Sequence, residues 1–223
     1  MGKTKEKQYE SWRFKYNEDK SLKAIKLSWS ILSKWSTGRA YDQKEALQML
    51  LARDAEREET DAMKEGSRIH KKIALKQMKL LPMMSDNVIF EGDRELGDFT
   101  NYFRVGVFDW LDMSLIVDAI DYENKLIIDW KTGSRNSTQH NKMQLYVYAY
   151  LMTKLQDNPL VPENAILAKV YEDTSGAIIC SDFSMYSIDE NKLTVAENYI
   201  ETNASEIFNF LEENRRGTTK NME

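Results

Sequence analysis

Hydrophobic residues in the first third of the chain recur with the period of α-helices. A short helix capped by Ser28 or Ser30 is followed by a longer helical stretch over roughly 40–54. The stretch 56–80 places its apolar residues on or near one helical face, and Pro82 is expected to end that helix. The apolar positions of this face are Ala62, Ile69, Ile73 and Leu80.

From residue 87 onward the hydrophobic pattern becomes that of β-strands. Predicted strands cover 88–90, 102–108, 115–120 and 126–130, with a turn near Glu123-Asn124. The remaining predicted elements are a helix over 139–155, strands over 165–171 and 177–183, and an amphipathic helix over 189–213. This order predicts an α/β (α+β) fold in which one mixed sheet is flanked by helices.

A chain of 223 residues is long enough for one domain with a complete core. We expect a polar N-terminal arm over 1–25, a single domain over 26–215 and a C-terminal tail over 216–223. No apolar run is long enough to cross a bilayer, and none reads as a signal segment. Cys180 is the only cysteine, which excludes a disulfide or a cysteine-based zinc or iron–sulfur site within one chain and makes the reducing cytoplasm the expected location.

The charge of the chain is unevenly distributed. A net charge of −5 argues against a protein that coats nucleic acid without sequence preference, but it allows a local basic groove. The stretches 66–80 and 130–144 contain cations and no acid. Either stretch alone is equally compatible with a solvated helix face. Because both flank the candidate site, together they favour a polyanionic substrate.

The strongest candidate site lies in the apolar run 127–133, which contains Asp129 and Lys131 and breaks at Gly133. Side chains alternate between the two faces of a strand, so Asp129 and Lys131 project from the same side. At the end of a buried strand, the carboxylate can hold a metal ion while the ammonium group steers a water molecule.

A second carboxylate, Asp109, also ends an apolar strand. If the two strands are close in the sheet, Asp109 and Asp129 converge into an oxygen-rich site that suits Mg²⁺ or Mn²⁺. The alternative is that Asp109 is only a turn or strand-end residue, as Asp112, Asp118 and Asp121 can also be.

Two helical motifs offer further site residues. Gly66-x-x-x-His70 places an imidazole, which can bind Mn²⁺, in the basic stretch before the strands, and Gly66 indicates close packing there. Gln144 and Tyr148 lie one turn apart on a later helix, where their amide and phenol can hold a phosphate or a water. A structural histidine and a core helix are the alternatives. His140 is interpreted as a bystander.

Four motifs thus follow one another in a specific order. The ordered set resembles the PD-(D/E)XK nuclease superfamily, specifically its RecB-like branch, which includes the CRISPR-associated RecB-like exonucleases. The resemblance covers about 28–150, and it implies a restriction-endonuclease-like core. The motifs are Gly66-x-x-x-His70, Gly106-x-x-Asp109, Asp129-x-Lys131-Thr132-Gly133 and Gln144-x-x-x-Tyr148.

The resemblance also implies a role for each matching residue. The metal ligands are the side chains of His70, Asp109 and Asp129 and the backbone carbonyl of Trp130, and the metal is magnesium or manganese. Lys131 is the catalytic lysine. The residues that support the site are Gln144 and Tyr148. Many members of this branch carry four cysteines for an iron–sulfur cluster, which this chain cannot build.

The function implied is that of a metal-dependent deoxyribonuclease, an exonuclease on DNA ends or single strands. A non-catalytic DNA-binding or assembly subunit with the same fold stays open, as does hydrolysis of RNA or small phosphoesters. A recombination or CRISPR adaptation protein and a second copy of the chain are compatible partners; a membrane is not expected. The residues expected to contact the DNA backbone are Arg68, Lys71, Lys72, Arg135 and Lys142.

Overall fold

The computed structural model describes residues 13–51, 60–91, 101–133, 138–156 and 159–220. Over these residues the fold is a mixed α/β arrangement of two sheets flanked by helices, which confirms the predicted α/β (α+β) class. The first half contains β1 (Phe14–Tyr16), β2 (Leu22–Ser28), α1 (Trp29–Trp35), α2 (Ala40–Leu51), α3 (Asp61–Leu75), β3 (Val88–Phe90) and β4 (Tyr102–Phe108). The second half contains β5 (Leu111–Ile116), β6 (Ala119–Asp121), β7 (Leu126–Lys131), α4 (Thr138–Thr153), β8 (Asn164–Glu172), β9 (Ile178–Ser187) and α5 (Glu190–Lys220).

The strands form two sheets rather than the predicted single one. One sheet has the order β1-β2-β5-β4 and the other β3-β6-β7-β8-β9, with parallel pairing between β2 and β5 and between β7 and β8. The predicted strand 115–120 is divided, because β5 ends in the first sheet and β6 begins in the second. Asn101 stabilises this break: its side-chain amide donates to the carbonyls of Ile89 (2.9 Å) and Val117 (3.1 Å).

Two apolar clusters make up the core. The larger joins the first sheet to α1, α2, α4 and α5 and also includes Ile120, Ile127 and Ala165 of the second sheet. The smaller packs Ile69 and Ile73 of α3 against the second sheet. Helix α3 is shorter than predicted at both ends, since the Thr60 hydroxyl accepts from the Met63 N–H at its start and Gln77 has φ +47° just beyond its end. Pro82 therefore follows the helix rather than ending it.

The predicted boundaries also change at both termini. Part of the expected polar arm forms β1 and the start of β2. Leu22, Ala24 and Ile25 of β2 are apolar and buried in the core, which explains why this segment is a strand. Residues 1–12 lie outside the described part. At the other end, α5 continues to Lys220, beyond the predicted end at 213 and into the expected tail. None of the helices in the described ranges has the length and apolar character needed to traverse a bilayer.

The hairpin of β6 and β7 organises the second sheet around the candidate site. Its strands pair Ala119 with Ile128 and Asp121 with Leu126, so Asp118 and Asp129 come next at the open end of the hairpin. At the closed end, the Asp121 carboxylate accepts hydrogen bonds from the backbone and side chains of Ser85 and Asn124.

Candidate active site

Three side chains from separate parts of the chain converge at the open end of this hairpin. His70 projects from α3, Glu91 follows β3, and Asp118 precedes β6; one ligand-type atom of each lies within 4.8 Å of the others. His70 Nδ1 is 3.4 Å from Asp118 Oδ1. The backbone fixes Asp118 further, since its carboxylate accepts from the Trp130 N–H (2.7 Å) and its carbonyl accepts from the Glu91 N–H (2.9 Å).

The predicted Asp-x-Lys pair lies in the same cavity, which has a volume of about 1230 Å³. Lys131 Nζ is 2.8 Å from Asp129 Oδ2 and donates to Gln144 Oε1 at 3.0 Å. The Gln144 amide in turn donates to the Tyr148 hydroxyl at 3.1 Å. A continuous polar chain therefore joins strand β7 to helix α4 and holds the ammonium group beside the carboxylates.

The pKa values in this group are shifted by burial and by carboxylates that lie close to one another. Burial raises the pKa of Asp129 to about 6, and the Asp118 carboxylate adds to that rise while Lys131 opposes it. Burial alone would also raise the pKa of Asp118, but His70 and the Trp130 N–H hold it below its ordinary value. Burial would lower the pKa of His70, yet the carboxylates of Asp118, Glu91 and Asp129 raise it to about 9.

These donors fit a divalent cation. Carboxylate oxygens and an imidazole are ligands that Mg²⁺ and Mn²⁺ accept. Three carboxylates that are close together in a partly dry site repel one another, and a cation between them would relieve that repulsion. The side chains that would hold the ion are those of His70, Glu91, Asp118 and Asp129.

Helix α3 passes close to the side chain of Thr132, the residue that follows β7, beside this group. A Cβ atom placed on Gly66 would lie 2.9 Å from the Thr132 hydroxyl oxygen, closer than real Cβ atoms come. The glycine of the Gly-x-x-x-His motif therefore leaves room for the Thr132 side chain beside the helix.

The structure brings together six of the seven residues that the sequence predicts for catalysis and metal binding. All six line the one cavity: His70, Asp129, Trp130, Lys131, Gln144 and Tyr148. Asp109 does not join them. It is exposed in the turn between β4 and β5, in the first sheet, whereas Asp129 belongs to the second.

The carboxylate that the structure places beside Asp129 is Asp118. A signal for it is present in the sequence, because a hairpin centred on the predicted turn at Glu123-Asn124 pairs position 118 with position 129. The prediction of a single strand over 115–120 hides that signal, because the chain changes sheets between β5 and β6. Glu91 was also missed; like Asp129, it is an acid at the end of a short apolar strand.

The predicted DNA-contacting cations separate into different roles. Arg68 forms ion pairs with Glu65 and Glu172, and Lys72 pairs with Glu172, so these two charges are compensated within the protein. Lys71 lines the cavity. Lys142 Nζ lies 5.1 Å from the ring centroid of Tyr186, and Arg135 falls outside the described residues.

Comparison with known proteins identifies the class. The family model of the PD-(D/E)XK nuclease superfamily matches residues 31–218, and the chain belongs to that superfamily. A search of curated proteins gave no match.

Solved structures with a related shape have low identity to this chain. One is SSO0001, 16% identical, with a TM-score of 0.41 over 79% of this chain and 76% of that one. Another is LHK-Exo in complex with dAMP, 9% identical, with a TM-score of 0.46 over 87% and 93%. A third is a phage related exonuclease from Haemophilus somnus 129PT, 14% identical, with a TM-score of 0.44 over 82% and 97%. The family assignment rests on the family model.

Proposed function

We propose that the protein is a metal-dependent deoxyribonuclease that hydrolyses phosphodiester bonds as an exonuclease on DNA ends or single strands. The observation that carries the proposal is the convergence of His70, Glu91 and Asp118 next to Asp129 and Lys131. Preference for DNA and for ends follows from the resemblance of the ordered motifs to the RecB-like branch.

The side chains of His70, Asp118 and Asp129 would bind a magnesium or manganese ion, with Glu91 and the Trp130 carbonyl as further ligands. Such an ion polarises a phosphodiester and lowers the pKa of a bound water. Asp118 replaces Asp109 in this proposal because only Asp118 lies within reach of the other ligands.

Lys131 would position the attacking water. Asp129 and Gln144 contact its ammonium group from two sides, which restricts the orientation of its protons. A fixed ammonium group can hold a water in line with a phosphorus atom and offset negative charge that develops on the phosphoryl oxygens. Tyr148 supports this arrangement by holding the Gln144 amide.

Substrate binding would use the cations that face the cavity rather than the whole basic stretch. Lys64 and Lys71 lie on the cavity side of α3 and would contact the phosphate backbone. Lys142 and Arg135 remain candidates for the same role. Backbone contacts of this kind position the strand without reading its sequence.

The test is a cleavage assay on end-labelled linear duplex and single-stranded DNA with Mn²⁺ or Mg²⁺, repeated with EDTA. We expect cleavage that EDTA abolishes and that proceeds from the ends. In Lys131→Ala the rate should fall by about 10³-fold, because one positioned charge is lost. Lys44→Ala, which removes an exposed cation of α2 outside the cavity, should cut like wild type. DNA binding without any cleavage by pure wild-type protein would contradict the proposal and favour an assembly role.

A further inference from the structure

His70 is the only member of the candidate metal group that lies on a helix. Glu91, Asp118 and Asp129 all belong to strands of the second sheet or to residues directly next to them. The distance from the imidazole to the carboxylates therefore depends on how α3 is seated on the sheet. A shift of α3 along its own axis would move His70 without moving the other ligands.

Apolar packing alone does not fix that seating. Ile69 and Ile73 are buried against the second sheet, and a Cβ on Gly66 would lie 2.9 Å from the Thr132 hydroxyl oxygen. Burial of apolar surface is non-directional, so it holds the helix against the sheet without by itself selecting one position along the axis. A directional contact is needed to set the position of the helix along its axis.

Glu172, the last residue of β8, supplies such a contact. One of its carboxylate oxygens pairs with Arg68, and the other lies 2.5 Å from Lys72 Nζ. Arg68 and Lys72 are one helical turn apart, and His70 lies midway between them in the sequence. Lys72 also donates to the Gly176 carbonyl of the following turn. A single carboxylate therefore binds α3 at Arg68, which precedes His70, and at Lys72, which follows it.

The turn that carries this acid is itself well ordered by hydrogen bonds. The Asp173 carboxylate accepts from the N–H groups of Ser175 and Ala177, both at 2.9 Å. Gly176 adopts φ +81°, and a Cβ there would lie 3.3 Å from the Glu172 carboxylate. The Glu172 side chain is only 15% exposed. Glu172 thus acts from a fixed support, and its better buried partner is Lys72, which is 22% exposed against 50% for Arg68.

We propose that Glu172 is a positioning residue that sets the place of α3 on the second sheet and thereby the metal affinity of the site. The inference rests on the proposed metal-dependent function. It also gives Arg68 and Lys72 a role in seating the helix, in place of the DNA contact expected from the sequence.

The experiment measures Mn²⁺ binding by isothermal titration calorimetry in the absence of DNA. We expect Glu172→Gln, which keeps the side-chain shape and removes the charge, to weaken Mn²⁺ binding by about 10-fold. Lys72→Gln should weaken it similarly, and the double variant should lose little more, because both changes break one contact. A residue that only contacts DNA would leave Mn²⁺ binding unchanged.

Two glutamates provide matched controls. Glu163→Gln removes an acid that pairs with Lys125 just before the other end of β8, and Glu65→Gln removes the Arg68 partner that lies on α3 itself. Neither ties α3 to the sheet, so both should bind Mn²⁺ like wild type. Urea unfolding shows whether each variant is folded, and Lys72→Gln carries the test if Glu172→Gln is not.

The outcomes separate the two proposals. If wild type binds Mn²⁺ and the Glu172 and Lys72 variants bind it equally well, the positioning role is overturned while the proposed function stands. If wild type binds no Mn²⁺, both are overturned. In a cleavage assay, saturating Mn²⁺ should restore most of the rate of Glu172→Gln, which a direct role in chemistry would not allow.

Discussion

Asp118 and Asp121 stand at opposite ends of the short strand β6, and their surroundings differ in kind. Asp121 is 0% exposed and accepts four hydrogen bonds from Ser85 and Asn124. Asp118 is 9% exposed and faces His70, with two further acids, Glu91 and Asp129, beside it. A buried acid surrounded by neutral donors holds a turn together, whereas a buried acid among other acids indicates a cation site.

The physical basis of this difference is how each charge is compensated. The dipoles of backbone and side-chain N–H and O–H groups stabilise the Asp121 carboxylate without any other ion. At Asp118 the surroundings include like charge, and the pKa of the neighbouring Asp129 rises to about 6. The two residues form a natural matched pair for mutation, since the same change, aspartate to asparagine, should have opposite consequences.

The largest expected effect is on activity in Asp118→Asn. Loss of a metal ligand should lower the rate of DNA cleavage by on the order of 10³-fold. A ligand that binds only the folded state raises the unfolding midpoint, so the thermal stabilisation that Mn²⁺ gives wild type should vanish as well. Cleavage assays and thermal unfolding with and without Mn²⁺ measure both. A retained Mn²⁺ shift would contradict the assignment of Asp118 as ligand.

The second effect is on stability in Asp121→Asn. The asparagine amide group would direct N–H donors toward the donors of Ser85 or Asn124. The hydrogen bonds that remain would also be weaker, because the acceptor no longer carries a negative charge. The free energy of unfolding should fall by about 2–3 kcal/mol. Urea unfolding at neutral pH measures it, and the Mn²⁺-induced thermal shift should survive. Equal stability of variant and wild type would show that the turn does not depend on the charge.

A third effect is the pH dependence of that stability difference. Burial tends to raise the pKa of Asp121, but the hydrogen bonds from Ser85 and Asn124 bring it below its ordinary value. A carboxyl whose pKa is lower in the folded state stabilises the protein above its unfolded pKa of about 3.9, and the stabilisation is lost as the pH falls through the folded pKa. The gap between wild type and Asp121→Asn should therefore be constant from pH 7 to 5 and narrow below about pH 4. Urea unfolding across this pH range measures the gap. A gap that widens in acid would contradict the prediction.

The smallest effect is expected in Asp109→Asn. This residue is exposed in a turn of the other sheet, and surface substitutions of this kind change stability by less than about 0.5 kcal/mol. Cleavage and Mn²⁺ binding should equal those of wild type. A variant that loses cleavage, while Asp118→Asn keeps it, would reverse the roles of the two aspartates.

Local sequence patterns predict the parts of the site that a single element holds. Asp129 and Lys131 share a strand, and Gln144 and Tyr148 share a helical face, so periodicity alone places each pair correctly on one surface. The choice between Asp109 and Asp118 depends on where the chain leaves one sheet for the other. That break is stabilised by Asn101, which bonds to backbone groups 12 and 16 residues away.

Contacts between distant residues explain the remaining errors. The basic stretch of α3 resembles a DNA-binding surface as long as the acid that pairs with its cations is not known. That acid, Glu172, is 104 residues from Arg68 in the sequence. Glu91 becomes a candidate ligand only when α3 and β6 are placed beside it. In both cases the missing information is the packing of α3 on the second sheet, which no local pattern contains.

The close spacing of Gly66 and the Thr132 side chain has a practical consequence for protein engineering. A methyl group at position 66 would meet the Thr132 hydroxyl at the cavity wall, and neither residue is one of the proposed metal ligands. The dimensions of the proposed metal site can therefore be altered without touching a ligand. A library aimed at shifting the selectivity between Mg²⁺ and the larger Mn²⁺ is best built at positions 66 and 132.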